Sequence, residues 1–185
     1  MRIDVSRPAL QNKKALVVGI ANEHSIAYGC AKAFREVGAE LALTFLNDKA
    51  KPYVEPLANE LEAAIFLPMD VSKPGELEAV FDRVEREWGH LDILVHSIAF
   101  APKEDLQGGL LNCSSSGFSV AMDISCHSFI RMARLAAPLM KDGGTLFAMS
   151  YHGAQKVVPN YNVMGPVKAA LEAVCRYLAY ELGPR

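Results

Sequence analysis

Short apolar runs alternate with longer helical patterns along most of this 185-residue chain. Runs rich in aliphatic and β-branched residues predict five strands, at 14–19, 40–46, 64–69, 91–96 and 144–150. A helical pattern follows each run, at 25–37, 51–61, 74–88, about 116–140 and about 161–182. Consecutive strands that are separated by helices pair in parallel through right-handed crossovers, which cover both faces of the sheet.

The alternation therefore predicts an α/β fold: a doubly wound, Rossmann-like, mostly parallel sheet with helices on both faces, in three αβα layers. Pro68, near the end of the third predicted strand, indicates the end or an edge of the sheet. We expect one dinucleotide-binding domain over residues 1–185. The chain closes with Leu182-Gly183-Pro184-Arg185, a helix stop that we expect more protein to follow, so we expect this domain to be C-terminally incomplete.

Composition and charge narrow the classes of function. Apolar residues make up 51% of the chain, enough for a packed core, and a net charge of −2 does not favour nucleic acid as a partner. The apolar runs are too short to cross a bilayer and the first residues lack a secretory pattern, so we expect a cytoplasmic protein with no membrane partner. The four cysteines are far apart and no histidine pair has ligand spacing, which predicts free thiols and no metal.

The segment after the first predicted strand has features of a phosphate-binding loop. Gly19 permits a tight turn out of the strand. Ser25 and Ile26 open the next helix, where backbone N–H groups can approach a pyrophosphate. The segment lacks the Gly-x-Gly-x-x-Gly pattern, so an ordinary strand–helix turn is an equal alternative.

Two later loops extend this interpretation. Asp70, followed by Val71, comes after the third strand, where a carboxylate can accept a hydrogen bond from an adenine amino group. Ile98 comes after the fourth strand among small residues, where the backbone can approach the nicotinamide ribose. The alternatives are a helix N-cap region for Asp70 and simple tight packing around Ile98.

Tyr161 and Lys168 are seven residues apart in the last predicted helix. Seven residues are almost two helical turns, so both side chains would leave one face, roughly 10 Å apart along the axis. A phenol can hydrogen-bond an oxygen that becomes negative during a reaction, and an ammonium can hold a cofactor. The spacing therefore predicts that the two groups serve one bound molecule.

Together these segments resemble the bacterial enoyl-acyl-carrier-protein reductases, divergent members of the short-chain dehydrogenase/reductase superfamily. The motifs that carry the resemblance are Gly19-x5-Ser25-Ile26-Ala27-x-Gly29, Asp70-Val71, His96-Ser97-Ile98-Ala99-Phe100-Ala101-Pro102, Ser150-Tyr151 and Asn160-Tyr161-Asn162-Val163-Met164-Gly165-x2-Lys168-Ala169. The likeness runs from about residue 14 to residue 183. The Tyr-x6-Lys spacing is specific, since ordinary superfamily members carry Tyr-x3-Lys.

The resemblance implies reduction of a trans-2-enoyl thioester on acyl carrier protein, the last step of each fatty-acid elongation cycle. It implies that Tyr161 stabilises the thioester oxygen, that Lys168 bonds the nicotinamide ribose and that Tyr151 is the second active-site tyrosine. It further implies cofactor contacts at Gly19, Ser25, Ile26, Asp70, Val71, Ile98 and Lys168. It implies an acyl-chain site lined by Phe100, Ala101 and Met164.

The same resemblance bears on cofactor and assembly. Leu46 cannot hydrogen-bond an adenosine ribose, and no arginine pair follows it, which favours NADH over NADPH; Lys49 and Lys51 keep NADPH open. The fourth and fifth helices carry more apolar surface than one sheet face needs, and in the resembling family they form the core of a homotetramer. The family continues beyond the fifth strand, so we expect a longer working protein and poor solubility or inactivity for 185 residues alone.

Two alternatives to an enoyl reductase stay open. One is another short-chain dehydrogenase/reductase that acts on a carbonyl, which the Tyr-x6-Lys spacing and the second tyrosine oppose. The other is a non-catalytic nucleotide-binding fragment, which the intact Tyr161 and Lys168 oppose and the short chain favours.

Overall fold

The computed structural model describes residues 8–184. Its strands are β1 (Lys14–Val18), β2 (Glu40–Phe45), β3 (Ile65–Pro68), β4 (Ile93–His96) and β5 (Thr145–Ala148). Its α-helices are α1 (Ile26–Glu36), α2 (Lys51–Glu60), α3 (Glu76–Trp88), α4 (Lys103–Gln107), α5 (Ser115–Met122), α6 (Ser128–Ala136) and α7 (Met164–Leu182). All five predicted strands are present, because short buried apolar runs bounded by turn residues are a strong strand signal.

The strands form one sheet in the order β3-β2-β1-β4-β5. β1 pairs in parallel with β2 and with β4, and β2 pairs in parallel with β3. The strand order reverses at β1, which is the doubly wound pattern, and the carboxyl ends of the strands beside that reversal are where such sheets bind ligands. The predicted α/β class is confirmed, and Pro68 ends the edge strand β3 as its position in the sequence predicted.

Burial follows the position of each strand in the sheet. Residues 15–18 of β1 and all of β4 are buried, because a central parallel strand is apolar on both faces. The edge strand β5 alternates instead, with Thr145 and Phe147 exposed. No helix among residues 8–184 is long and apolar enough to span a membrane.

The described chain divides into two compact units. The first comprises residues 8–97 and 138–147, in which α1 packs on β1 and β2, α2 on β2 and α3 on β3. The second comprises residues 98–137 and 148–184, in which α7 packs on α5, α6 and a short turn at His152–Ala154. The expectation of a single domain over 1–185 stays a prediction.

The last helix begins later than the sequence pattern predicts. α7 begins at Met164, so Tyr161 lies in the preceding turn and does not share a helix face with Lys168. Asn160 and Asn162 have φ values of 64° and 38°, a left-handed conformation that a right-handed helix cannot contain. The expectation that both side chains leave one face of α7 is therefore wrong.

Other helix boundaries differ for similarly local reasons. α3 begins at Glu76 instead of Pro74, because Gly75 before it has a φ of 86°. The helix expected over 116–140 is interrupted by a π-helical segment at Asp123–His127, which separates α5 from α6. The segment 97–115, between the fourth predicted strand and the next predicted helix, contains α4 and a 3₁₀ turn at Leu110–Asn112.

Candidate active site

Gly19 allows two loops at the carboxyl end of the sheet to approach each other. Its φ is 104°, and a Cβ at this position would lie 2.0 Å from the carbonyl oxygen of Ser97, the residue after β4. The Ser97 N–H donates to the carbonyl of Val18, the last residue of β1, at 3.0 Å. A side chain at position 19 would therefore separate the loops that follow β1 and β4.

Ser25 shapes the loop before α1 and leaves the start of that helix without a side-chain cap. Its hydroxyl accepts hydrogen bonds from the N–H groups of Ala21 and Asn22, at 3.0 and 3.1 Å. It accepts none from the first turn of α1. Helix-start N–H groups without a side-chain acceptor are the donors that a phosphate group needs. Ile26, the first helical residue, is 66% exposed beside them.

Asp70 is held in a tight turn after β3. One of its carboxylate oxygens accepts from the Ser72 N–H at 2.9 Å and from the Ser72 hydroxyl at 2.6 Å, and its own N–H donates to Glu76 at 2.7 Å. Gly75 precedes α3, so Asp70 is not the N-cap of that helix. The neighbouring Val71 is buried. The adenine contact expected of Asp70 stays a prediction.

In the second unit, two tyrosine rings lie against each other beside a glycine. The ring centres of Tyr151 and Tyr161 are 4.8 Å apart and the rings are tilted by 60°. A Cβ on Gly153 would lie 2.4 Å from a ring carbon of Tyr161 and 3.2 Å from one of Tyr151. The structure thus brings together the two tyrosines that the sequence analysis selected. It adds Gly153, which sequence reasoning missed and which only its place two residues after Tyr151 could have indicated.

The backbone around Tyr161 is hydrogen-bonded on both sides. Its N–H donates to the carbonyl of Val158 at 3.2 Å, and its carbonyl accepts from the N–H of Met164 at 3.0 Å. These two consecutive turns place the Tyr161 ring just before the N-terminus of α7. Burial raises the pKa of the Tyr161 phenol, and the neighbouring Tyr151 adds to that shift. The phenol therefore stays protonated and able to donate a hydrogen bond at neutral pH.

Lys168 is a buried amine in the second turn of α7. The residue is 4% exposed, and its Nζ donates to the carbonyl of Met149 at 2.7 Å. Burial lowers the pKa of this amine, because desolvation disfavours its charged form. The Lys168 ammonium has two further N–H donors in this buried setting, so hydrogen-bond acceptors of a bound molecule would stabilise its charged form.

The residues selected for the acyl chain differ in accessibility. Phe100 is 48% exposed and Ala101 half-buried, whereas Met164 is 4% exposed. Ile98, selected for the cofactor, is half-buried in the same segment as Phe100.

A cavity of about 410 Å³ is bounded by the residues Leu110, Gly153, Ala154, Gln155, Lys156, Val157, Val158, Tyr161, Asn162, Gly165, Pro166 and Ala169. It reaches Tyr161, but none of the three residues selected for the acyl chain lines it.

Ser125 is a second residue that sequence reasoning missed. It lies in the π-helical segment and is fully buried. Its hydroxyl accepts from the Phe100 N–H at 2.9 Å and donates to the Phe100 carbonyl at 3.0 Å. No motif of the sequence marked it, because a serine within a helical pattern carries no sign of its partner.

Comparison with known proteins places these features in a family. A family model described as Enoyl-(Acyl carrier protein) reductase matches residues 19–185. The chain belongs to the enoyl-(acyl carrier protein) reductase family. This confirms the resemblance on which the sequence analysis rested.

Curated members of the enoyl-(acyl carrier protein) reductase family resemble the chain closely. Enoyl-(acyl-carrier-protein) reductase (NADH) 1 of Rhizobium meliloti is 48% identical over 95% of this chain and 65% of its own length. The enoyl-(acyl-carrier-protein) reductase (NADH) of Aquifex aeolicus is 47% identical over 94% of this chain and 64% of its own length. The chain thus spans about two thirds of the length of these relatives.

Solved structures of the enoyl reductase family share the fold. The enzyme of Anaplasma phagocytophilum in complex with NAD is 46% identical, with a TM-score of 0.91, and the match covers 95% of this chain and 67% of that one. The Bacillus cereus enzyme with NADP⁺ and an indole naphthyridinone is 41% identical, also with a TM-score of 0.91, over 95% of this chain and 69% of that one. The Rossmann-like αβα class predicted from the sequence is confirmed.

Proposed function

We propose that the protein reduces the trans-2 double bond of enoyl thioesters on acyl carrier protein with NADH, the last step of the type II fatty-acid elongation cycle. The observation that carries the proposal is the pair of tyrosine rings packed at Gly153, one of them seven residues before the buried Lys168. The names of the curated relatives, which are NADH-dependent enoyl reductases, support it.

Tyr161 carries the central role in this proposal. Its phenol donates a hydrogen bond to the thioester oxygen, which becomes negative as the β-carbon is reduced. A protonated donor that is already held in place stabilises that charge more in the transition state than in the ground state. The raised pKa of Tyr161 suits this role, since the donor keeps its proton. Tyr151, at 49% exposed, forms the mouth of the same site.

Lys168 suits a cofactor-holding role. Bound NADH would supply the hydride for the reduction. The Lys168 ammonium has three donors, of which the Met149 carbonyl takes one, and the others suit the ribose hydroxyls. We assign the remaining cofactor contacts to Gly19, Ser25, Ile26, Asp70, Val71 and Ile98, and the acyl-chain contacts to Phe100, Ala101 and Met164.

We propose NADH over NADPH as the hydride donor. Leu46, the residue after β2, is 53% exposed and offers no hydrogen bond. The following residues, 47–49, include no arginine that could pair with a 2′-phosphate. A higher kcat/KM for NADH than for NADPH with the same enoyl thioester is the expected result.

The proposal extends to the domain, the cellular location and the assembly of the enzyme. We propose that residues 1–185 belong to one dinucleotide-binding domain, that the enzyme is cytoplasmic and that it works as a homotetramer. The exposed apolar side chains of α5, α6 and α7 support the last point, since Phe118, Ile130 and Tyr177 are 42%, 37% and 73% exposed.

The test is NADH oxidation, followed by absorbance, with a crotonyl thioester. We expect turnover by the wild type at its working length and a loss of about 100-fold or more in kcat for Tyr161→Phe, since one donor to a developing oxyanion is removed. Acetoacetyl thioester is the comparison substrate, and faster turnover of it would indicate a carbonyl reductase. Tight NADH binding without turnover would indicate a non-catalytic module. A Phe variant with the full wild-type rate would refute the role of Tyr161.

A further inference from the structure

Asn162 joins the turn that carries Tyr161 to a separate segment of the second unit. Its side-chain amide donates a hydrogen bond to the carbonyl of Leu106, 56 residues earlier in the chain. Leu106 lies in the last turn of α4, where helix carbonyls lack partners within the helix. The Asn162 amide therefore supplies the Leu106 carbonyl with a donor from outside α4.

The backbone at Asn162 is held in an uncommon conformation. Its φ of 38° lies in the left-handed region, as does that of Asn160 at 64°. Asparagine tolerates this region better than most residues other than glycine, yet the conformation costs free energy and persists where the surroundings enforce it. Of the two asparagines, Asn162 has the side-chain tether, whereas Asn160 is exposed.

The other end of this tether is itself anchored. Asp105, next to Leu106 in α4, is 7% exposed and accepts a hydrogen bond from the Ser114 N–H at 2.6 Å. Ser114 precedes α5, and its hydroxyl accepts a hydrogen bond from the Gly117 N–H in the first turn of that helix at 2.9 Å. A short helix such as α4 is marginal alone, so these contacts with α5 give Asn162 a fixed point to hold.

We propose that Asn162 is a positioning residue for Tyr161. The tether to Leu106 holds the left-handed turn, and the turn sets where the Tyr161 phenol lies. Asn162 touches neither substrate nor cofactor in this proposal, and it acts through the tyrosine beside it. The inference rests on the proposed function, because the position of the phenol matters only if the phenol contacts the reacting oxygen.

The test compares Asn162→Gly with Asn160→Gly in the purified protein. Glycine adopts the left-handed conformation freely, so each change keeps the turn possible and removes one side chain. We expect Asn162→Gly to lower kcat for crotonyl thioester about tenfold or more, because a small misplacement of a catalytic group is costly, with the KM for NADH within about twofold. Asn160→Gly should stay within about twofold of the wild type in both constants.

A double variant separates positioning from general damage. If Asn162 acts through Tyr161, Tyr161→Phe combined with Asn162→Gly should be no slower than Tyr161→Phe alone. A further loss of the same size in the double variant would overturn the proposal, and so would wild-type kcat for Asn162→Gly. If Tyr161→Phe itself keeps the full rate, the proposed function fails first, which is a different outcome from failure of the tether.

Asn162→Asp keeps the test decisive if the glycine variant unfolds. Aspartate accepts the left-handed conformation, but its carboxylate cannot donate to the Leu106 carbonyl. We expect a similar loss of kcat at neutral pH and partial recovery relative to the wild type as pH falls, since a protonated carboxyl regains a donor. If the ratio of the Asn162→Asp kcat to the wild-type kcat stays constant as pH falls, the tether is contradicted.

Discussion

Gly153 sets how closely the Tyr161 ring approaches the turn after β5. A methyl group there would lie 2.4 and 2.8 Å from two ring carbons of Tyr161, so the ring must move in Gly153→Ala. We expect a loss of kcat on the order of tenfold with the fold retained, because the phenol leaves its position. Gly29→Ala is the matched control, since a Cβ on Gly29 meets nothing within 4 Å. Equal kcat for both alanine variants would contradict this steric role.

Burial shifts Tyr161 and Lys168 in opposite directions. It raises the pKa of Tyr161 and lowers the pKa of Lys168, and both shifts favour the uncharged form. The Lys168 amine therefore loses its proton at a lower pH than an exposed lysine does, and the Tyr161 phenol keeps its proton to a higher pH than an exposed tyrosine does.

NADH affinity should therefore weaken as pH rises, beginning below the ordinary pKa of a lysine. The charge on Lys168 is present below its lowered pKa and is lost above it, and with it goes one attraction to the cofactor. NADH titrations by fluorescence between about pH 7 and 10 measure this. Lys168→Met should bind NADH more weakly and show a flatter dependence on pH. A wild-type affinity that is constant over the range would refute the assignment.

At the residue scale, the sequence selected candidate side chains but not their surroundings. Tyr161 and Lys168 were selected by their spacing and Tyr151 by the family resemblance; the structure brings the two tyrosines into contact, and the roles of all three stay predictions. Gly153 and Ser125 could not be predicted, because a missing Cβ and a buried hydroxyl have meaning only beside their partners. The partners, Tyr161 and Phe100, were themselves selected from the sequence, but no sequence pattern places Gly153 or Ser125 beside them.

The π-helical segment is the element that holds the segment carrying Phe100. It places Ser125 so that one hydroxyl satisfies both backbone groups of Phe100. Ser125→Ala should lower the free energy of unfolding by about 1–3 kcal/mol, since two part-buried hydrogen bonds are lost and each contributes about 0.5–1.5 kcal/mol. The KM for the enoyl thioester should rise as Phe100 loosens.

Urea unfolding of Ser125→Ala and of Ser119→Ala checks this prediction. Ser119 is exposed on α5 and its hydroxyl donates to the Ser115 carbonyl at 2.9 Å, so its removal should change stability by less than about 0.5 kcal/mol. If both variants lose the same stability, the link between the π-helical segment and Phe100 is not important for folding.

Elements were predictable where local pattern and tertiary environment agree. The strands follow from buried apolar runs, and their parallel pairing follows from the helices that separate them, whereas the strand order was not predicted. The start of α7 was not predictable, because the residues from Tyr161 onward have helical spacing and only the left-handed asparagines exclude the first turn. The break between α5 and α6 was likewise not predictable, since the π-helical segment contains Ser125, whose hydroxyl bonds Phe100 in another segment.

On the scale of the whole molecule, the exposed apolar side chains of the second unit bear on assembly. Tyr177 of α7 is 73% exposed and Phe118 of α5 is 42% exposed, while Leu171 on α7 is fully buried. The sequence predicted surplus apolar surface on these helices, and the structure shows which side chains remain accessible. Exposed aromatic residues of this kind are typical of surfaces that associate.

Tyr177→Glu should therefore break the proposed homotetramer into smaller species. A carboxylate at an apolar contact between subunits would lose its hydration without gaining a partner, which costs several kcal/mol per contact. Tyr53→Glu on α2 is the control, since Tyr53 is similarly exposed at 67% but lies in the first unit. Sedimentation velocity at micromolar concentration distinguishes the outcomes. A Tyr177→Glu protein that still sediments as a tetramer would show that this face of α7 lies outside the interface, and a monomeric wild type would refute the assembly itself.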